Sequence, residues 1–323
     1  MAHDIQTMAY TGKAPWHNLG NHLPEKQPIE VWAKAAGMDW RIQESTVRYD
    51  VEMPELGHQS LIMPFEDHKV LFRSDNKQPL SVVSKRYQVV QPQEVLEFYR
   101  DLTEQAGYEL ETAGVLKSGR KFWALARTGK EAVLKGDDVV KGYLLLATSC
   151  DGTLATTATP TTIRVVCANT LAVALNGTST SIKVPHSTNF DAEDVKRRLG
   201  MAITGWDSFM YRMKMLSERK IKNHEAMHFF MRVLCNSDNL KTGAGLTNER
   251  ALAKVQDLYN GHGRGMQVSA TKDTAWGLLC AMTEYVDHER RARSNEYRLD
   301  SAWFGQGAAL KQRALDHALE LVA

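Results

Sequence analysis

Cysteine is scarce in this chain, and what there is lies scattered. Cys150, Cys167, Cys235 and Cys280 are far apart and form no CxxC pair. That pattern encodes neither a disulfide framework nor a cysteine zinc site, and it fits reduced, buried thiols in a cytoplasmic protein. Long apolar runs are missing too. The longest, such as Tyr143–Ala147, fall well short of the roughly 20 residues that span a bilayer, so no membrane partner is expected. Met1-Ala-His-Asp-Ile has no basic n-region and no apolar h-region, so no secretory signal is expected. No strand leads into Gly305 and Gly307, which argues against a phosphate loop, and no cofactor is expected.

A dominant charge sign is also lacking, with 40 Lys/Arg against 38 Asp/Glu. The distribution is uneven, however. Residues 1–68 carry ten acidic side chains against five basic ones, whereas everything after them is mildly basic. An acidic leading segment on a basic body permits a polyanionic partner without requiring one. The 323 residues, 43% hydrophobic and 24% charged, suffice for a sizeable core and two domains.

Hydrophobic periodicity divides the chain into three parts. Residues 1–27 read as an extended leader whose one sticky patch is Pro15-Trp16-His17-Asn18-Leu19-Gly20. Residues 28–187 read as an antiparallel, β-rich α+β domain. It opens with a short helix from Pro28 to Gly37. Strands follow over 39–51, 61–72 and 80–90, then a helix from Gln91 to Gly107. A hairpin comes next, 108–116 and 120–127 around Lys117-Ser118-Gly119. A second hairpin turns at Asp151-Gly152, where positive φ is cheap. After Cys167 the pattern predicts a short helix capped by Asn169 or Thr170 and ending at Asn176-Gly177. Ser181–Val184 adds a last strand. Residues 188–323 read as an all-helical domain. Val195, Leu199, Ile203, Trp206, Met210, Met213 and Leu216 form one stripe, predicting a single helix of about eight turns. Further helices are expected near 224–235, 247–260, 272–292 and 308–322, with 236–248 and 261–265 as connections.

Three clusters carry candidate chemistry. The hairpin 117–127 sets Lys117, Arg120 and Lys121 beside Phe122-Trp123. Cations that hold phosphates next to a flat ring on which a base can stack form a nucleic-acid-binding combination. Neighbouring strand residues point to opposite faces, so only one of the two aromatics is expected to face the core. Lys85 and Arg86, before Tyr87, repeat the theme. Arg164 lies between Ile163 and Val165 on a central strand, where a guanidinium needs an anion or several carbonyls. Asp151 across the hairpin is its expected partner, and a bound phosphate is the alternative. Cys167 has Asn169 nearby but no His in sequence, which argues against a nucleophilic thiol.

His224-Glu225-Ala226-Met227-His228 is a literal HExxH. On a helix, His224 and His228 share a face and could bind zinc while Glu225 activates its water. Against this, Asn223 is the expected N-cap, placing His224 in the first turn. No third ligand follows at a familiar spacing, and the preceding Arg219–Asn223 is polar and basic where such helices are apolar.

Several stretches spread over the chain resemble one family. They are Ala14–Gly20, Arg86-Tyr-Gln-Val-Val-Gln-Pro92, Gly119-Arg-Lys-Phe-Trp-Ala-Leu125 and Arg164-Val-Val-Cys-Ala-Asn-Thr-Leu171, extended by Trp276–His288 and Phe304-Gly-Gln-Gly307. Together they resemble the phage/plasmid-like proteins grouped as domain of unknown function 932. The resemblance implies carriage on phages, plasmids and integrated elements and a context of DNA metabolism, with no catalytic residues to transfer. The leading expectation is therefore a non-enzymatic DNA-binding accessory protein of a mobile element, handling single-stranded DNA in recombination or replication and capable of homo-oligomerisation. Lys117, Arg120, Lys121, Trp123, Lys85, Arg86 and Arg164 would be its contact residues. A zinc hydrolase on His224, Glu225 and His228 is one alternative, and a protein-binding module acting on a host factor is another.

Overall fold

The computed structural model describes residues 7–12, 20–53, 59–164, 166, 169–175, 178–203, 205–235 and 249–323. The chain mixes strands and helices, with strands gathered toward the N-terminal side and helices toward the C-terminal side. Part of the leader, β1 (Thr7–Tyr10), enters the main sheet beside the short β2 (Asn21–His22), and α1 (Ile29–Ala35) follows. A separate three-stranded sheet is formed by β3 (Ile42–Met53), β4 (Gln59–Arg73) and β5 (Pro79–Ser84), in the order β3-β4-β5. Helix α2 (Pro92–Ala106) starts with a Gln91/Glu94 capping box and stops at Gly107, whose φ is 68°.

The main sheet continues with β6 (Glu109–Leu116), β7 (Lys121–Val133), β8 (Val139–Ser149), β9 (Thr156–Arg164) and β10 (Asn169–Ala172). After the small hairpin β11 (Ala174–Leu175) and β12 (Thr178–Ser179), β13 (Ile182–Val184) returns to β9. The order is β10-β9-β8-β7-β6-β1-β2, antiparallel throughout except for the β1–β2 pair. One edge of β9 is shared: β10 pairs with its residues 161–164 and β13 with 156–158.

The predicted helix after Cys167 is a strand instead. Asn169 is the pairing partner of Arg164, and its side-chain amide donates to the Cys280 carbonyl (3.2 Å) and the Thr283 hydroxyl (3.1 Å) rather than capping a helix. The exposed ladder edge of β9 and the β-branched residues at hand outweigh the local capping signal. Cys167 and the Asn176-Gly177 stop lie outside the described residues, as do the Pro15–Leu19 patch and the 236–248 connection.

The predicted eight-turn helix is two helices, α3 (Ala192–Ile203) and α4 (Trp206–Glu218). The stripe serves two cores. Val195 and Leu199 pack with the main sheet, whereas Phe209, Met213 and Leu216 pack among helices, and the helix breaks where the stripe changes allegiance. The helical side continues with α5 (Asn223–Cys235), α6 (Glu249–Asp257), α7 (Ala275–Glu284), α8 (Asn295–Phe304) and α9 (Gln306–Glu320). The sequence reading had no counterpart for α8, which Ser294 caps by accepting from the Tyr297 amide.

Both faces of the main sheet are covered. On one, Tyr99 of α2 sets its hydroxyl 2.9 Å from the carbonyls of Ala124 and Leu144. On the other, Leu299 and Trp303 of α8 pack over Trp123, Leu125, Tyr143 and Leu145. Phe122 therefore meets Trp40 on the first face while Trp123 meets Trp303 on the second. The expectation that only one of the two aromatics is core-facing fails because a second layer of helix covers what would otherwise be the solvent face; both are fully buried.

Candidate nucleic-acid interface

The expected hairpin forms, with β6 and β7 paired in register from Leu116↔Lys121. Its turn is tight: Lys117, Ser118 and Gly119 have φ of 53°, 57° and 94°. Glycine suits the third position because its φ of 94° strains any other side chain, and a Cβ there would also press at 3.2 Å on Arg73, Leu80 and Trp40. The cations of this hairpin are not all free to hold phosphates. Asp300 of α8 receives Lys121 Nζ at 2.5 Å and Lys117 Nζ at 2.7 Å. Burial alone would push the Lys117 ammonium down, but the Asp300 carboxylate beside it carries it above its ordinary value. Lys121 is buried. Trp123 has no face open for a base.

Arg120 is exposed, and it does not stand alone. Its carbonyl accepts from the Cys150 amide at 2.8 Å, at the start of the Asp151-Gly152 turn. The hydroxyl of Tyr87 donates to the Ser149 carbonyl at 2.8 Å, holding the Lys85-Arg86-Tyr87 segment against the same turn. Lys183 of β13 sits opposite Thr157 at the start of β9. Beyond it the His186 ring stacks on Tyr87 (4.4 Å between centroids), with Nε2 3.0 Å from the Leu154 carbonyl and Nδ1 3.0 Å from that of Gln88. One end of the main sheet thus gathers Lys85, Arg86, Arg120 and Lys183. All four are exposed, and none has an ion-pair partner among the described residues. Asp151 is occupied by the hydroxyl (2.6 Å) and amide (3.0 Å) of Thr153; burial works to raise its carboxyl, and these hydrogen bonds outweigh it. Burial pushes the Cys150 thiol up to about 12, which leaves it inert.

Arg164 lies elsewhere, and its partner is not Asp151. Its Nε donates to Asp138 Oδ1 at 2.6 Å, and Nη2 to the Gly265 carbonyl at 2.8 Å. Asp138 Oδ2 accepts from the Trp276 indole at 2.8 Å. The hairpin offered Asp151 as the nearest acid in sequence, but the long pairing of β8 with β9 brings Val140 opposite Arg164 and so places Asp138 beside it. Further along, Lys311 Nζ, Asp287 and Thr170 close a second buried polar group. Both groups fasten the sheet to the helices.

The HExxH segment begins α5 as expected, with His224 and His228 exposed. Glu225 is engaged in holding the helix start: Oε2 accepts from the Lys222 amide at 2.8 Å and Oε1 from Arg219 at 2.7 Å, and these contacts keep its carboxyl below the usual range. Among the described residues no group of three His, Cys, Asp or Glu side chains is arranged to hold a metal ion. A cleft of about 170 Å³ beside Arg127, Lys130 and Lys141 is another charged concavity. There Arg127 is divided between Glu109 (2.7 Å) and Glu111 (3.2 Å), and the Tyr143 hydroxyl donates to Glu111, so the Arg127 charge is already matched by carboxylates.

Sequence reasoning missed Lys183 and His186. The signal for Lys183 was the alternation in Ser181–Val184, which sets it on the outer face of an edge strand. Nothing local tied it to Arg120, some sixty residues earlier.

A family model described as "Domain of unknown function (DUF932)" matches residues 79–303 of the 323. The chain belongs to this family. The DUF932 match takes in the main sheet from β6 onward, the basic end of that sheet and the helices through α8. No curated protein and no solved structure matches the chain. No helix among the described residues is long and apolar enough to cross a membrane.

Proposed function

We propose that the protein is a non-catalytic DNA-binding accessory protein of a mobile element, which holds DNA at the basic end of its main sheet. The observation that carries this reading is the set of four exposed cations, Lys85, Arg86, Arg120 and Lys183, which have no ion-pair partner among the described residues and are carried to the end of the sheet around the 149–156 turn by three separate segments. Such charges cost little to leave in water and gain when a phosphate releases its counterions. Lys117, Lys121 and Trp123 leave the contact list because Asp300 and the core already hold them, and Arg164 leaves it because Asp138 does. A preference for single strands, a cytoplasmic location and a domain boundary near 187/188 belong to the same proposal. Proteolysis at 185–190 tests the boundary.

Binding of a fluorescent oligonucleotide, single- and double-stranded, measured against salt tests the contact surface. Up to four neutralised phosphates give a slope of log K against log salt of about −3. Replacing Lys85, Arg86, Arg120 and Lys183 together with Ala should bring that slope close to zero in a protein of unchanged circular dichroism. Unchanged binding in the fourfold variant, or no binding at low salt, removes the reading.

A further inference from the structure

His186 sits where the cation-bearing segments meet, and each of them supplies part of its surroundings. The segment that carries Lys85 and Arg86 continues into Tyr87, whose ring stacks on the imidazole at 4.4 Å between centroids and 18° between planes. Gln88, the next residue, donates its amide to the His186 carbonyl at 2.7 Å and sets its own carbonyl 3.0 Å from Nδ1. The turn that Arg120 holds through the Cys150 amide sets the Leu154 carbonyl 3.0 Å from Nε2. Lys183 lies on β13, which runs through Val184 and Pro185 into His186. The backbone beyond the ring is closed as well, since the Pro185 carbonyl accepts from the Thr188 amide at 3.0 Å and from its hydroxyl at 2.8 Å.

A side chain held in this way has little rotamer freedom left to lose, so a partner need not order it. One face of the imidazole rests on Tyr87, and both ring nitrogens lie against carbonyls. What remains is the second face. Among the described residues no other ring is stacked on it, and the side chain is half-buried. A flat, fixed face set among Lys85, Arg86, Arg120 and Lys183 suits a ligand that joins a flat ring to a phosphate. A nucleotide has that chemistry. Unpaired bases stack on histidine as they do on Phe, Tyr and Trp, and such stacking tolerates any sequence because every base has a π-face. In a duplex each base is already stacked on its neighbours, so the ring offers nothing to it.

We infer that His186 is a stacking platform for one base of single-stranded DNA, with the surrounding cations holding the phosphates on either side of it. This rests on the reading of the basic end as a DNA surface and adds what charge alone does not supply. The cations meet a backbone that single strands and duplexes share, whereas the ring meets a surface that only an unpaired base presents. His186 is therefore the residue that sets the preference for single strands.

Fluorescence anisotropy on the full chain with three probes tests it: an oligothymidylate, an abasic strand of the same length and charge, and a duplex of that length. The parent should bind the oligothymidylate about 5- to 150-fold more tightly than the abasic strand, the range for one base on one aromatic ring. His186→Ala should erase that preference. His186→Phe keeps a flat ring without the ring nitrogens and should keep it. A parent that binds the oligothymidylate and the abasic strand alike overturns the inference, and that comparison needs no variant to fold. So does a His186→Ala protein that loses affinity equally for all three probes, which marks the ring as a clasp alone, or a folded His186→Phe protein without the preference. The cationic surface survives each of these results as long as the abasic strand and the duplex bind with a salt slope. No binding of any probe by the parent removes that surface and the platform with it.

Discussion

Asp138 offers the sharpest test of how the sheet and the helices are joined. It is fully buried, and its two oxygens hold the Arg164 guanidinium at 2.6 Å and the Trp276 indole at 2.8 Å. Asp138→Ala removes an acid paired with a guanidinium that is itself 3% exposed. Breaking one side of a buried ion pair costs about 3–5 kcal/mol, because the remaining charge stays buried. Arg164 keeps the Gly265 carbonyl at 2.8 Å and a longer contact to that of Arg264 at 3.4 Å, which moves the expectation toward the lower end, about 3 kcal/mol. With a urea m-value of about 3 kcal/mol/M, the unfolding midpoint should fall by about 1 M, read by circular dichroism. The double variant Asp138→Ala/Arg164→Met removes the stranded charge together with its partner. It should recover more than about 1 kcal/mol relative to Asp138→Ala alone, since replacing both members of a pair costs less than orphaning one. A midpoint shift below about 0.3 M for Asp138→Ala, or a double variant as unstable as the sum of the singles, would refute a coupled buried pair.

Trp123→Ala should cost about 2–4 kcal/mol of stability: a buried Trp is worth about 3–5, offset in part because its indole N–H has no acceptor among the described residues. DNA affinity of the folded fraction should stay as in the parent, and a selective loss of affinity without loss of stability would restore Trp123 to the contact surface. Glu225→Ala should lower the urea midpoint by uncapping α5, whereas His224→Ala and His228→Ala should change neither midpoint nor metal content; one tightly bound zinc per chain in the parent would reverse that expectation. Glu296 is buried, with one carboxyl oxygen lacking a partner among the described residues, and burial followed by the nearby Asp300 raises its carboxyl above the ordinary range. The folded state then binds the Glu296 proton more tightly than the unfolded state, so this group destabilises the fold above its folded pKa and ceases to do so as pH falls below the ordinary value. Glu296→Gln should accordingly raise the urea midpoint at pH 7 by more than at pH 4, and an equal gain at both would exclude ionisation as the cause.

Local signals placed most elements correctly wherever one face of the element meets one neighbour. The α2 helix with its Gln91 start and Gly107 stop, the 117–119 turn and the Asp151-Gly152 hairpin are of this kind, because caps and turn glycines act within a few residues. The failures share a different cause. The stripe from Val195 to Leu216 is continuous in sequence, yet it faces two cores, and periodicity carries no information about which core a residue will join. The Asn169–Ala172 segment has a plausible cap, but the open edge of β9 beside it supplies ladder hydrogen bonds that a helix there would leave unmade. Pairing register, and with it the partner of Arg164, depends on where the 134–138 turn falls, and a shift of one residue changes every cross-strand neighbour.

The candidate interface shows the same division between what is local and what is not. Clustering in sequence singled out Lys117, Arg120 and Lys121, but clustering says only that charges are near one another, not that they are free. Asp300 arrives from some 180 residues away and takes two of the three, leaving Arg120 pointing into a set that no single segment contains. That set is defined by hydrogen bonds which fix backbones rather than by the charges themselves: Tyr87 to Ser149, Arg120 to Cys150, β13 to β9. A surface built this way has a consequence for its test. Removing one cation should subtract one phosphate contact and leave the others in place, so single Ala variants at Lys85, Arg86, Arg120 and Lys183 should each reduce the salt slope by somewhat less than one, and their effects should add. Tyr87→Phe removes no charge but releases the segment that carries two of the cations. If the hydrogen bond to Ser149 holds the segment in place, the variant should weaken binding although all four cations remain, and Lys85→Ala and Arg86→Ala should each cost less in its background than in the parent, whereas Arg120→Ala and Lys183→Ala should cost the same.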